Sequence, residues 1–175
     1  MKSAVERFWE AVPEQVEGKP VDGAILTSAA NCRYLSGFPS SSRLVILTRE
    51  QAYFLTDFRY GEAARKKVRD CQVVVFQRRE QSVKEILRRH GLKTVLFERE
   101  TIPLVEAETL GGLCREEGIA PIFDNTLDKT MESIRAIKTR EEIDKIRAAQ
   151  AITDEAFSHI LPFLREGVTE REIAL

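Results

Sequence analysis

Long apolar runs are missing from this chain, and none approaches the roughly 20 residues that a bilayer-spanning helix requires. No membrane partner is expected on that ground. The opening MKSAVERFWEAV carries Glu6 and Arg7 where a secretory leader needs an unbroken apolar stretch, so a cytoplasmic location is expected. Cysteine is scarce. Cys32, Cys71 and Cys114 are widely separated, odd in number and form no CxxC pair. That spacing excludes a zinc site of the usual pattern and suits reduced thiols in a cytosolic protein. Only two histidines occur, His90 and His159, and no cluster of His, Cys, Asp and Glu has metal-ligand spacing. An excess of either charge is missing too: 27 basic residues face 28 acidic ones, so nothing global attracts nucleic acid or an anionic membrane. The motifs HExxH, GxSxG, the P-loop and GxGxxG are all absent. The glycines of GGLCREEG fall inside a helical pattern rather than after a strand.

What is present is an ordinary globular composition, 43% hydrophobic and 31% charged over 175 residues, enough for one domain and part of a second. Val5, Phe8, Trp9 and Val12 share one helical face, and Pro13 ends that helix. Apolar runs at 23–28, 44–48, 52–56, 72–77, 94–98 and 120–124 have strand character. Helical patterns lie between the later ones: one after Asp57 as N-cap, one over 82–89 capped by Ser82 and stopped by Gly91, and one over 104–117 stopped by Gly118. Alternating strands and helices predict an α/β domain with a sheet covered on both faces, and the tight link between 44–48 and 52–56 makes that sheet mixed. The strand signal ends at Asp124. Asn125 then caps a short helix carrying Leu127, Met131 and Ile134. Thr139 and Glu142 form a capping box that opens a long amphipathic helix reaching about residue 166, with Ile143, Ile146, Phe157, Ile160 and Leu164 at helical spacing. A second box at Thr169 and Glu172 is followed by a few residues only, and the sequence is expected to be part of a longer chain.

Few residues offer chemistry. His90 sits at a helix end, where the dipole favours a cation, and His159 lies on a solvated helix face. Asp57 and Arg59, in TDFRY, cap and brace a strand-to-helix junction. Between the first two strands lies TSAANCRYLSGFPSSSR, where Tyr34, Leu35 and Phe38 anchor a connection to the core. Its end, Ser40, Ser41, Ser42 and Arg43, is either a solvated loop or a carboxylate clamp, since a guanidinium holds a carboxylate through two parallel hydrogen bonds.

Four segments, NCRYLSGF, LTDFRYGEAA, IRAIKTREEIDKIRAAQAITDEAF and EGVTEREIA, in this order and spacing, resemble the prolidase, aminopeptidase P and creatinase family of metallopeptidases. The resemblance implies residues 1–130 as a creatinase/prolidase N-terminal domain with a mixed six-stranded sheet. Residues 131–175 would be the linker and first helices of a truncated pita-bread catalytic domain. It further implies a parent enzyme that cleaves the bond between an N-terminal residue and proline, using two divalent metals (manganese, cobalt or zinc) held beyond this sequence. On this reading the 175 residues supply no catalytic group and no metal ligand, and are inactive alone. The expected partners are a peptide with proline at its second position and a second copy of the chain. In the family the loop after the SGF motif reaches over the partner subunit's active site, which makes Ser40, Ser41, Ser42 and Arg43 the substrate-proximal candidates. A creatinase-like amidinohydrolase and a non-catalytic protein-binding module of the same fold remain the alternatives.

Overall fold

A computed structural model describes residues 2–174. Its contacts divide the chain into two units, one ending at Ala136 and one beginning at Ile137. Helix α1 (Ala4–Ala11) opens on a capping box in which Ser3 and Glu6 satisfy each other's backbone N–H. A small antiparallel hairpin follows, β1 (Gln15–Val16) with β2 (Lys19–Pro20). Its two turn residues, Glu17 and Gly18, both have positive φ, 52° and 72°, as a type I′ turn demands. This hairpin carries no apolar alternation, which is why the sequence does not reveal it.

The main sheet has six strands in the order β6-β5-β4-β3-β7-β8. They are β3 (Gly23–Leu26), β4 (Leu44–Thr48), β5 (Ala52–Thr56), β6 (Gln72–Val75), β7 (Thr94–Phe97) and β8 (Ala120–Ile122). Strand β4 runs antiparallel to both β3 and β5, while β3–β7, β5–β6 and β7–β8 are parallel pairs, so the sheet is mixed as expected. Side chains alternate between its faces. Ala24, Leu26, Val45, Leu47, Phe54 and Leu96 join one core with α1 and with Leu127 and Met131. Ile25, Leu44, Ile46, Tyr53, Leu55, Val95 and Phe97 join the other. Burial on both faces explains the unbroken apolar runs of the central strands.

The crossovers are α3 (Phe58–Lys67), α4 (Arg79–His90) and α5 (Leu104–Glu116), and α6 (Thr126–Ala136) follows the last strand. Helix α4 begins three residues before the expected start. Ser82 is an interior residue whose N–H donates to the Arg78 carbonyl, so it does not cap the helix. At α6 the Asn125 carbonyl accepts from the Lys129 N–H at 3.0 Å, and the Asp124 carboxylate adds bonds from the Thr126 N–H at 2.9 Å and its hydroxyl at 2.7 Å. Leu127, Met131 and Ile134 of α6 are buried in the first unit's core.

The largest departure from the sequence reading is α2 (Ala29–Ser36), which fills the stretch expected to be an irregular connection. Ser28 caps it and Gly37, in the left-handed region at φ 69°, ends it. Cys32 and Leu35 face the core while Arg33 is exposed, so this short amphipathic helix shows its pattern over only about two turns.

In the second unit Thr139 and Glu142 make the expected capping box at the start of α7 (Arg140–Ile160). The α-helix stops six residues short of the expected 166 because Pro162, lacking an N–H, converts its continuation to a single 3-10 turn over Leu161–Phe163. Thr169 and Glu172 form the second box ahead of α8 (Glu170–Ala174). Among the described residues no helix is long and apolar enough to cross a membrane.

Candidate functional site

Polar chemistry concentrates at the edge of the sheet where the parallel strands end. Thr27, Asp57, Phe76 and Glu98 each follow directly on β3, β5, β6 and β7. Loop 40–43 reaches the same edge because β4, which it enters, runs antiparallel to β3. In open α/β sheets this edge is where ligands settle.

The deepest group there is Glu98, 0% exposed. Its Oε2 accepts from the backbone N–H of Thr27 at 2.6 Å and of Ser28 at 2.8 Å, and from the Thr27 hydroxyl at 3.3 Å. Its Oε1 accepts from the Ser28 hydroxyl at 2.5 Å and from Asn31 Nδ2 at 2.7 Å. The amino end of α2 is thus an anion site filled by the chain's own carboxylate, placed where the helix dipole favours it. Asn31 Oδ1 accepts in turn from Arg135 Nη1 at 2.9 Å, and the Tyr34 hydroxyl donates to the Ile134 carbonyl at 3.0 Å, so the same cluster holds the end of α6. Glu98 does not stand out in the sequence reading; the available signal is a charged residue closing the otherwise apolar run TVLFE.

Beside this network lies a cavity of about 330 Å³ lined by Thr27, Ser41, Ser42, Arg43, Asp57, Arg59, Phe76, Arg79 and Glu106. It brings together the two stretches the sequence singles out, SSSR and TDFRY. Three of the four candidates, Ser41, Ser42 and Arg43, stand in its wall. Ser40 does not, and instead shapes the turn, its hydroxyl donating to the Ser42 carbonyl at 2.6 Å while accepting from the Ser42 N–H at 3.1 Å. Far from being a loose loop, the segment is tied down: the Thr56 hydroxyl donates to the Ser42 carbonyl at 2.6 Å, and the Ser41 hydroxyl lies 2.7 Å from that of Tyr60. Arg43 Nη1 donates to the carbonyls of Ser40 at 3.0 Å and Ser41 at 3.4 Å, while its Nε is buried without a partner.

Asp57 caps α3 by accepting from the Arg59 N–H at 2.9 Å and pairs with the Arg59 guanidinium, Nη2 to Oδ2 at 2.7 Å. The Arg59 side chain, helped by the Ser42 hydroxyl, holds the Asp57 carboxyl down at about 2. Arg79 and Glu106, from α4 and α5, form the other ion pair of the wall. Nothing in the sequence pairs the two.

The histidines lie elsewhere. His90, its side chain only 6% exposed, sits between the Tyr53 hydroxyl at Nε2 (2.8 Å) and Glu50 at Nδ1 (3.0 Å) and ties the end of α4 to β5. His159 packs near the Phe163 ring. Burial pushes the thiols of Cys32, Cys71 and Cys114 up to about 12, which leaves none of them as a nucleophile near neutral pH. Among the described residues no group of three or more His, Cys, Asp or Glu side chains could hold a metal ion. The carboxylates at this edge are committed to hydrogen-bond donors of the chain or to arginines, so the donor set does not fit a divalent cation.

Comparison with known proteins bears on this arrangement. The family model described as the creatinase/prolidase N-terminal domain matches residues 9–137. The uncharacterized peptidase YqhT of Bacillus subtilis (strain 168) is 30% identical over 155 residues, which is 88% of this chain and 42% of that protein. Among solved structures, the Xaa-Pro dipeptidase from Bacillus anthracis superposes with a TM-score of 0.76 at 30% identity, covering 97% of this chain and 45% of that one. The prolidase from Pyrococcus furiosus gives 0.70 at 25% identity, covering 87% and 45%. The chain therefore spans under half the length of each of these relatives.

Proposed function

Since the chain belongs to the creatinase/prolidase N-terminal domain family, we propose that it is the N-terminal part of an Xaa-Pro peptidase. The whole protein would hydrolyse the bond between an N-terminal residue and a following proline. The observation that carries this is the family match over residues 9–137, joined to a 30% identical dipeptidase structure that covers 97% of the chain. Residues from Ile137 onward, beyond the first compact unit, would begin the catalytic domain.

Two divalent metals, manganese, cobalt or zinc, would lower the pKa of a bound water and polarise the scissile carbonyl. No set of residues described here fits them, so no step is assigned to this chain through the metals. Its own contribution is positional: loop 40–43, with Ser40, Ser41, Ser42 and Arg43, would stand near substrate in a homodimer. The protein would work in the cytoplasm, in keeping with three free cysteines.

The test is hydrolysis by a chain extended to the length of its relatives and loaded with manganese. Cleavage of Xaa-Pro dipeptides or of longer Xaa-Pro peptides, with matched alanine peptides resisting, is the expected result. An extended, folded, metal-loaded protein that cleaves neither class would overturn the reading and favour a binding module. The 175 residues alone are expected to release no proline.

A further inference from the structure

The main sheet has two open edges, and they are not alike. At one, β8 pairs only with β7. The Ala120 N–H donates to the Lys93 carbonyl at 2.8 Å, which turns Ala120 and Ile122 toward β7 and Pro121 outward. Pro121 has no N–H to offer, so this edge is blunted. At the other edge, β6 pairs only with β5. The Phe76 N–H donates to the Thr56 carbonyl at 3.0 Å. By the alternation of a parallel ladder, Gln72, Val74 and Phe76 face β5, while Val73 and Val75 face outward. No hydrogen bond among the described residues reaches the outward N–H or C=O of either valine. Strand β6, QVVV, has no proline, no charge and no bulge, the devices that usually guard an edge. Its valines and Phe76 are only half-buried, Val73 against one core and Val74 and Phe76 against the other, so apolar surface is left for a neighbour on both faces.

The charge around this edge narrows the neighbour. From Arg65 to Arg79 there are six basic residues and one acidic residue, Asp70, in a chain whose net charge is −1. Lys66 is paired with Glu62 and Arg79 with Glu106. Arg65, Lys67, Arg69 and Arg78 are exposed and have no ion pair among the described residues. Arg69 lies three residues before β6 and Arg78 three residues after it, so the reach of the chain keeps both within about 10 Å of the strand. Arg78 also borders a cavity of about 680 Å³ that it shares with Lys84 and Arg88. A second copy of the chain would bring the same excess of positive charge to the edge. An acidic segment complements it at both ends.

We propose that β6 is a docking edge for an extended acidic peptide segment of another protein, which adds to the sheet as a further strand. The backbone of that segment exchanges hydrogen bonds with Val73 and Val75, and these main-chain bonds supply affinity. Its apolar side chains cover the valines and Phe76 as cross-strand neighbours do. Its acidic ends lie by Arg69 and Arg78. The edge belongs to the first unit, and the inference does not depend on the peptidase reading.

The 175-residue chain is titrated with three end-capped peptides, followed by amide chemical shifts and hydrogen exchange. They are DEVTVTVED, its basic counterpart KKVTVTVKK, and DEVTVTVED N-methylated through its centre, which keeps the charge but donates no central N–H. The acidic peptide should give saturable shifts over residues 72–76 and slow the exchange of the Val73 and Val75 amides, leaving that of Val74, already bonded to β5, unchanged. The other two peptides should not bind. Val75→Pro removes one outward N–H, as Pro121 does in β8, and should weaken binding about fivefold or more, the worth of a backbone hydrogen bond. Arg69→Gln together with Arg78→Gln should weaken it about threefold at low salt and leave it unchanged in 1 M salt. Each variant's melting curve is recorded, and the N-methylated peptide tests the same bonds without altering the protein. No saturable shift with the acidic peptide, equal binding of its N-methylated form, or undiminished binding in folded Val75→Pro would overturn the proposal. Equal binding of the basic peptide would overturn the acidic character of the partner. Protection of Val73 and Val75 that grows with protein concentration in the absence of peptide would overturn it in favour of a second copy. Failure here would leave the hydrolysis test on the extended, metal-loaded protein untouched.

Discussion

Asn31 and Glu98 stand 67 positions apart, yet Asn31 Nδ2 donates to Glu98 Oε1 at 2.7 Å in the buried floor of the strand-end region. The other end of the same amide accepts from Arg135. One side chain of α2 thus joins the end of β7 to the last turn of α6, and its carboxylate partner closes the turn from β3 into α2.

Removing Glu98 should therefore cost far more than a surface carboxylate. Glu98→Ala strands two backbone N–H groups, two hydroxyls and one amide donor. Each buried donor left unsatisfied costs about 1–3 kcal/mol, reduced where water enters the space. A loss of about 3 kcal/mol or more in urea unfolding is expected, and Glu98→Gln should recover only part of it. A loss below about 1 kcal/mol, the usual size for an exposed site, would show that the network does not hold the fold.

The strands were legible because both sheet faces are buried, which turns LVILT and AYFLT into unbroken apolar runs. The capping boxes at Thr139 and Thr169 were legible because they are local. Helix α2 was not: Ser28 and Gly37 bracket it correctly, but its eight residues alternate too briefly for a period to emerge. The candidate site divides in the same way. Loop 40–43 announces itself by three serines and an arginine. The ion pair of Arg79 with Glu106, 27 positions apart, and the convergence on Glu98 exist only once the crossovers fix the strand order.

Gly61 of α3 faces β6 so closely that an added Cβ would lie 2.8 Å from Val75 Cγ2 and 3.2 Å from Cγ1. Gly61→Ala should thus destabilise the protein by about 1–3 kcal/mol through overpacking, although alanine is the better helix former. Pairing it with Val75→Ala opens the space that the new methyl needs. The double variant should therefore unfold later than the sum of the two single effects predicts. Simple additivity in thermal unfolding would mean that the contact does not limit α3 packing.

Burial raises the three thiols from 9.0, their ordinary value, to about 12. The unfolded chain loses these protons first as pH rises. Their effect on stability is nil below pH 9 and grows unfavourable between about 9 and about 12, where the unfolded state gains by ionising. Replacing all three with alanine should flatten the fall of the melting temperature across that window. Thiol labelling of the folded chain at pH 8 should be slow and should track unfolding. Rapid labelling of Cys32 under native conditions would contradict its burial.

The acid limb tests the cavity wall. Asp57 is lowered from 3.8 to about 2, chiefly by the Arg59 side chain. A depressed carboxyl contributes stability that is full above its unfolded value, so this contribution is present above pH 3.8 and disappears as pH falls to about 2. Arg59 is 62% exposed, so the pairing is screened, and high salt should shrink the effect. Asp57→Asn is the informative variant, because asparagine still caps a helix and only the charge is lost. The wild-type melting temperature should fall more steeply than that of Asp57→Asn between pH 3.8 and 2, with the two slopes converging in 1 M salt. Parallel slopes at low salt would mean that Asp57 holds α3 by its cap alone.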